Sequence, residues 1–357
     1  MNRLGHRPAL DGLRGVAILL VVSAHLFRYP RGGVLGVDIF FVLSGFLITA
    51  LLLEEQALTG RIGLRAFYRR RALRLLPALF LMLSTCALVA TASWASGHLT
   101  SQGLLRQFGG IGLGATYTTN IARAWFDVTP AFVTRHLWSL AQEEQFYLLW
   151  PIVLTAVFAA RRSPRLLASL LCVLFVAQVS YGLVLAHTVD RGAAQHAVWF
   201  NPVVRADALV VGCLAGVAFS HRLLPPPPRW ALPPPAVVVA VVVAGFDETT
   251  PGVYYLRPVF DIAAAILLLR ALGAETETAR LLSDARLREV GRVSYGVYLW
   301  HLPMLHVLPW LIGLPGTFVV AGLSYEYVEK PFLRRKRAPT RRPQPNGADL
   351  QAAPATV

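Results

Sequence analysis

Charge is what this sequence lacks first. Asp, Glu, Lys and Arg make up 15% of its 357 residues, against about 25% in a soluble domain. Over a chain of this length the deficit excludes an ordinary globular enzyme and a disordered chain. Lysine is nearly absent: of the 34 basic residues only Lys330 and Lys336 are lysines. Cysteine is as sparse. Cys86, Cys172 and Cys213 each stand alone inside an apolar run. With no CxxC or Cys/His spacing, neither a disulfide framework nor a zinc site is expected, and the three read as small packed residues. No metal site of another kind is expected.

What is present is apolar. The hydrophobic fraction is 55% and the mean hydropathy +0.53, which identify a polytopic, all-α membrane protein. The formal charge is +15. Such an excess can indicate nucleic acid, but the apolar content argues against that partner. In a membrane protein it collects on cytoplasmic loops. The first apolar run lacks an Ala-x-Ala exit and reads as a membrane helix, not a cleaved signal.

A crossing helix needs about 20 apolar residues. Ten stretches qualify: 12–29, 33–53, 75–95, 137–160, 166–187, 202–220, 231–247, 254–272, 292–311 and 314–333. The segment 104–121 is weaker, with Gly109, Gly110, Gly112 and Gly114 followed by Thr116, Tyr117, Thr118, Thr119 and Asn120. Basic clusters fall at 3–14, 61–74, 161–165, 222–229, 280–292 and 334–342. Ten spans put all of them on one side; an eleventh at 104–121 would not. The sequence therefore predicts ten transmembrane helices, both termini cytoplasmic, and a re-entrant or surface element at 104–121. The Pro-rich run 225–235 reads as a stiff connection. Residues 1–335 form the membrane domain and 336–357 a disordered tail. No internal repeat of the transporter kind is visible.

Ionisable residues inside spans make function the default hypothesis. Arg14 and His25 are 11 residues apart on the first helix, so they share one face about 16 Å apart along the axis. Asp11 lies close to the same stripe. Asp38, on the second helix, matches the depth of His25. It either orients the imidazole, as the third member of a triad does, or pairs with an arginine. His25 itself is either a base or an interhelical hydrogen-bonding residue. The fourth helix carries Glu143 and Glu144; adjacent carboxylates cannot share a face, so at most one points at a common site. The sixth carries Arg205 and Asp207. The ninth carries Tyr295, Tyr298 and His301, with His301 near the midplane. Singly, each suits a structural role; together they suggest a buried polar site.

The stretch from Leu64 to Pro77 is different. Leu64, Phe67, Tyr68 and Leu75 mark an apolar helical stripe on which Arg71 falls, pointing inward, while Arg69 and Arg70 point elsewhere. This is either a basic helix on anionic headgroups or a phosphate site facing the cytoplasm.

At this point the chain resembles the membrane-bound acyltransferase family 3 of bacterial O-acyltransferases, over about residues 8–335. The ordered blocks are Leu10-Asp11-Gly12-Leu13-Arg14-Gly15 with His25; Gly36 to Phe46; Arg69-x-Arg71 running into Arg74 and Pro77; His136-Leu137-Trp138-Ser139-Leu140 with Glu143 to Tyr147; Arg205 to Leu209; Ser294 to His301; and Ser324-Tyr325 with Glu329-Lys330-Pro331. The resemblance implies ten helices, an essential Arg14–His25 pair, donor contacts at Arg69 and Arg71, and Glu329 as the terminal carboxylate. Two departures stand out. The segment from His301 to Tyr325 is short, so an abbreviated last helix is expected, and transfer is expected to finish within the membrane unit, with no appended esterase-like domain expected.

The expected function is an integral-membrane O-acyltransferase of the bacterial inner membrane. It moves a short acyl group, acetyl foremost, from acyl-CoA to a hydroxyl of a sugar, an envelope glycan or a glycosylated metabolite, with no permanently bound cofactor. His25, Asp38, Arg14 and Glu143 are the candidate catalytic residues. Arg69, Arg71, Arg74 and Glu329 are candidates for the donor; Asp11, Arg205, Asp207, His301 and Tyr295 for the acceptor. The rival is a transporter using the intramembrane His and carboxylates as a path.

Overall fold

The structure, a computed structural model, describes residues 4–160, 162–189, 196–223, 233–246, 253–273 and 276–335. All regular structure among them is helical. The tail 336–357 and the Pro-rich connection, apart from its last three residues, lie outside the described residues. In chain order the helices are α1 (Pro8–Phe27), α2 (Gly36–Thr59), α3 (Leu64–Ala95), α4 (Ser101–Ala115), α5 (Thr119–Trp125), α6 (Leu137–Ala159), α7 (Pro164–Thr188), α8 (Asp207–His221), α9 (Pro233–Gly245), α10 (Val253–Ala271), α11 (Glu277–Leu282), α12 (Ala285–Arg292), α13 (Ser294–Val307), α14 (Trp310–Ser324) and α15 (Lys330–Arg335).

Each of the ten apolar stretches contains a helix among the described residues. Among the described residues, six helical stretches are long and apolar enough to cross a bilayer: Pro8–Phe27, Arg31–Thr59, Leu64–Ala95, Pro164–Thr188, Val204–His221 and Trp310–Arg334. The protein is therefore multi-pass. The other four fall short for two reasons. Helices α9 and α13 are brief, at 13 and 14 residues. Helices α6 and α10 carry charge, Glu143 and Glu144 in one and Arg257, Asp261 and Arg270 in the other.

The expectation of an abbreviated last helix is corrected. Helix α14 passes through a π-helical turn at Tyr325–Glu329 into α15, and the apolar stretch Trp310–Arg334 spans 25 residues. The segment 104–121 falls on the 15-residue helix α4 and the start of α5; α4 is capped where Thr100 accepts from the Gly103 amide at 3.1 Å. Only Gly110 and Gly114 of α4 are buried.

Glycine sets the closest helix contacts. A Cβ on Gly45 of α2 would lie 2.1 Å from the Leu209 carbonyl oxygen of α8, and one on Gly212 would lie 2.2 Å from that of Val42. Backbones packed this closely allow no side chain between them. Around this seam lies the largest buried apolar cluster, including Phe41, Phe46, Leu209 and Phe260. Helix α1 meets α12 in the same way: a Cβ on Gly291 would lie 1.8 Å from the Asp11 carbonyl oxygen. The short connection after α1 folds α2 back beside it, with Gly36 against the Ala17 carbonyl.

Candidate active site

Helices α1, α2, α3, α6 and α13 surround a cavity open on one side, with about 600 Å³ of empty space when the open space at its mouth is included. Helix α1 supplies Arg14, and one turn of α3 supplies Arg71 and Arg74. On α6, Ser139, Glu143 and Tyr147 follow one another at four-residue spacing, which aligns them on one stripe facing the cavity. Ser44 comes from α2, and Ser294, Tyr295 and Tyr298 from α13. The Tyr295 hydroxyl donates to the Leu75 carbonyl at 2.8 Å, tying α13 to the arginine turn.

The three arginines differ in their partners. Arg71 points inward, as the apolar stripe predicts. Its Nε donates to Glu144 at 3.3 Å, its guanidinium lies 3.8 Å from Glu143, and it stacks 3.3 Å above the Tyr147 ring. Glu143 also accepts from Ser44 at 3.0 Å and from Tyr147 at 3.4 Å. The expectation that at most one of the adjacent glutamates reaches a common site is corrected in part. Only Glu143 lines the cavity, but the planar fork of Arg71 spans both carboxylates. Arg14 and Arg74 make no ion pair within 4 Å among the described residues, and Arg14 Nε is buried without a partner. Glu329 lies near Arg74 and Glu143 near Arg14, but with no direct ion pair both guanidiniums keep donors suited to phosphate or carboxylate.

Toward the other end of α1 the polar lining changes to imidazole. The rings of His25 and His301 lie 5.1 Å apart and those of His136 and His301 5.0 Å apart. His136 and His301 are buried, and Tyr298 packs against both, at 5.2 and 5.7 Å between ring centres. The Tyr298 hydroxyl bonds the His136 carbonyl and, at 2.5 Å, the Ser139 hydroxyl. Since Tyr298 and Ser139 also line the cavity, they join the arginines to the histidines.

Asp38 does not reach His25. It accepts from Arg205 at 2.8 Å and lies 3.7 Å from Arg257, which bonds Asp207 at 2.7 Å. His25 Nδ1 is instead bonded to the Val21 carbonyl at 2.8 Å. The triad expected of Asp38 is replaced by its alternative, an arginine pair. Arg205 and Asp207 fall in the same buried ionic cluster, apart from the cavity, with Arg205 surrounded by Trp199, Trp138 and Phe41. Asp261, fully buried beside them, has no hydrogen-bond partner.

Of the remaining expected residues, Tyr295 and Arg74 line the cavity and His301 joins the histidine cluster. Glu329 is buried in the π-helical turn, with one oxygen unpaired. Asp11 pairs with the exposed His6 at 3.4 Å, and Arg69 is exposed; neither reaches the cavity. Cys172 is exposed, whereas Cys86 and Cys213 are packed as expected. Sequence reasoning missed Ser44, Tyr147, Arg257 and Asp261. Tyr147 was detectable one turn beyond Glu143. Arg257 and Asp261 were detectable as a charged i,i+4 pair inside an apolar run.

Comparisons with known proteins agree with this geometry. An acyltransferase-domain family model matches residues 7–324. The chain is 32% identical to the putative peptidoglycan O-acetyltransferase YrhL of Bacillus subtilis, across 91% of this chain and 54% of that protein. It is 28% identical to the peptidoglycan O-acetyltransferase OatA of Listeria monocytogenes, across 91% and 55%, and 31% identical to a putative O-acetyltransferase of Staphylococcus aureus, across 93% and 58%. It therefore spans just over half the length of these relatives. No solved structure matches. With the family model covering nearly the whole membrane unit, the chain belongs to acyltransferase family 3.

Proposed function

We propose that this protein is an integral-membrane O-acyltransferase that moves a short acyl group, acetyl foremost, from acyl-CoA to a hydroxyl of a glycan. Peptidoglycan, the substrate in its relatives' names, is the first acceptor to try. One observation carries the reading. Arg14 and Arg74 make no direct ion pair among the described residues, in a cavity whose wall, Ser139 and Tyr298, abuts the cluster containing His25. Guanidiniums whose donors are not taken up by a direct ion pair in a partly buried site can receive an anion, and the phosphates of CoA supply one. Arg71, already held by two glutamates, shapes the mouth.

In this mechanism the thioester reaches along the cavity toward the histidines. His25 Nδ1 gives its hydrogen to a carbonyl that can only accept, so in the neutral ring Nε2 keeps its lone pair and can take the acceptor's proton. The proposed topology has ten spans in the inner membrane with both termini cytoplasmic, which places the arginine cavity toward the cytoplasm, where CoA is found. Purified protein in liposomes, given labelled acetyl-CoA and a peptidoglycan fragment, should yield labelled ester. His25→Ala should lower the rate by about 10²–10⁴-fold at unchanged protein abundance. Undiminished transfer by that variant would remove His25 from the mechanism. Transfer from another thioester or phosphate donor, with none from acetyl-CoA, would replace the donor.

A further inference from the structure

We infer that a groove between α2 and α3 binds one anionic phospholipid, with its phosphate on Arg70 and Arg74 and an acyl chain against the apolar face of α2. The groove holds about 930 Å³ of empty space when the open space at its mouth is included. Ile48, Leu51, Leu52 and Glu55 line it from α2. Phe67, Arg70, Arg71 and Arg74 line it from α3. Both sets recur at three- and four-residue spacing, so each is one face of its helix. One wall is therefore mostly apolar and the other mostly basic.

The charges along the basic wall are unevenly answered. Glu55 is the one acid among the lining residues. One of its oxygens accepts from the Gly63 amide at 3.0 Å, and the other lies 3.5 Å from Arg70. Arg71 turns its guanidinium to Glu143 and Glu144 on the cavity side. Arg74 makes no ion pair within 4 Å among the described residues, although Glu329 lies near it. Basic charge thus exceeds acidic charge in the groove. The complement is an anion with several acceptor oxygens, and a phosphate is one. The chain's own C-terminal tail has the wrong sign for this role: residues 336–357 carry Lys336, Arg337, Arg341 and Arg342 against the single acid Asp349.

The depth of the groove selects a lipid over a soluble phosphate. Helix α3 has 32 residues, about 48 Å at the helical rise, whereas the hydrocarbon is about 30 Å thick. Its apolar run, 75–95, fills the hydrocarbon, which puts Arg70 and Arg74 at the level of the headgroups. Leu51 is 52% exposed, so the apolar wall opens on the bilayer and a chain can enter from the side. Inorganic phosphate or a free nucleotide satisfies the arginines alone; an anionic phospholipid satisfies both walls. Arg74 also lines the active-site cavity, so the lipid phosphate sits at the rim of that cavity. Lipid binding here is independent of the reaction proposed above.

The test is native mass spectrometry of the full chain in detergent, titrated with dioleoyl phosphatidylglycerol or with dioleoyl phosphatidylcholine, whose choline cancels the phosphate charge. One phosphatidylglycerol should be retained at saturation, about tenfold or more tighter than phosphatidylcholine, as a charge-assisted contact provides. Arg70→Gln should weaken that retention by about tenfold or more. Leu51→Trp, which fills the groove without changing its charge, should weaken it as well. Arg65→Gln removes an exposed arginine outside the groove and should change it by less than about twofold. Equal retention of the two lipids would overturn the site, as would wild-type retention by Arg70→Gln or Leu51→Trp. A loss in Arg65→Gln as large as that in Arg70→Gln would replace it with diffuse attraction to a basic surface. Displacement of the lipid by an equal concentration of inorganic phosphate would make it an anion site with no lipid preference. The Arg70–Glu55 pair is partly exposed, so its removal barely affects the fold; should Arg70→Gln still fail to fold, Leu51→Trp decides alone.

Discussion

At the scale of single residues, the three cavity arginines should separate by their partners. Arg14 and Arg74 make no direct ion pair, so Arg14→Ala or Arg74→Ala should remove a charge-assisted contact to the proposed donor. A contact of about 1.5–3 kcal/mol corresponds to a rise in acetyl-CoA KM of roughly tenfold to a hundredfold, with acceptor KM and protein abundance unchanged; initial-rate kinetics checks this. Arg71→Ala is different because it leaves Glu143 and Glu144 side by side with no cation. Removing one partner of a buried pair costs about 3–5 kcal/mol, so abundance and melting temperature should fall along with activity. Adding Glu144→Gln should restore stability but not full activity. Helical periodicity alone revealed that Arg14 and His25 share a face and that Arg71 points inward. It did not reveal the partner of Asp38, because α2, α8 and α10 meet in a register that no single helix's pattern contains. Depth matching pointed to His25, which is near in height but belongs to another cluster.

At the scale of elements, the seam between α2 and α8 depends on absent side chains, and the ion cluster beside it depends on present ones. Three carboxylates, Asp38, Asp207 and Asp261, share two guanidiniums, Arg205 and Arg257. Asp261 is the member without a hydrogen-bond partner, and a buried polar group without one weakens the fold. Asp261→Asn should therefore leave stability unchanged or raise it. Asp38→Asn, which strips Arg205 of its 2.8 Å partner, should lower it by about 3 kcal/mol; thermal unfolding in detergent orders the two. The sequence showed where helices lie but not how they end. All ten predicted stretches contain a helix among the described residues because their apolar runs are long and caps interrupt them, as at Gly60 with φ 74° after α2. The last helix was misjudged because length between motifs was counted, while the continuation through the π-helical turn was not visible in that count.

At the scale of the whole molecule, the remaining issue is how many helices cross. Hydropathy treats every side chain as if it met lipid, whereas Glu143 of α6 lines the cavity and Arg257 and Asp261 of α10 are buried in the ion cluster. Charges that face protein do not prevent crossing, so in the proposed topology α6 and α10 span the bilayer although their composition falls below a lipid-facing standard. In that topology the short α9 and α13 would also have to cross; α13 rests on α14, with Gly296 against Ala321. The two counts place particular loops on opposite sides. With α6 as a span, the connection before α7 returns to the cytoplasm with the arginines at 161–165. With only the six long apolar stretches crossing, it stays outside. A single cysteine at Arg162, in a background lacking Cys86, Cys172 and Cys213, distinguishes them. Ten spans predict labelling by an impermeant thiol reagent in inverted vesicles only, and a cysteine at Val128 should label only from the opposite face. If Arg162→Cys labels from the outside, α6 does not cross and the ten-span topology fails.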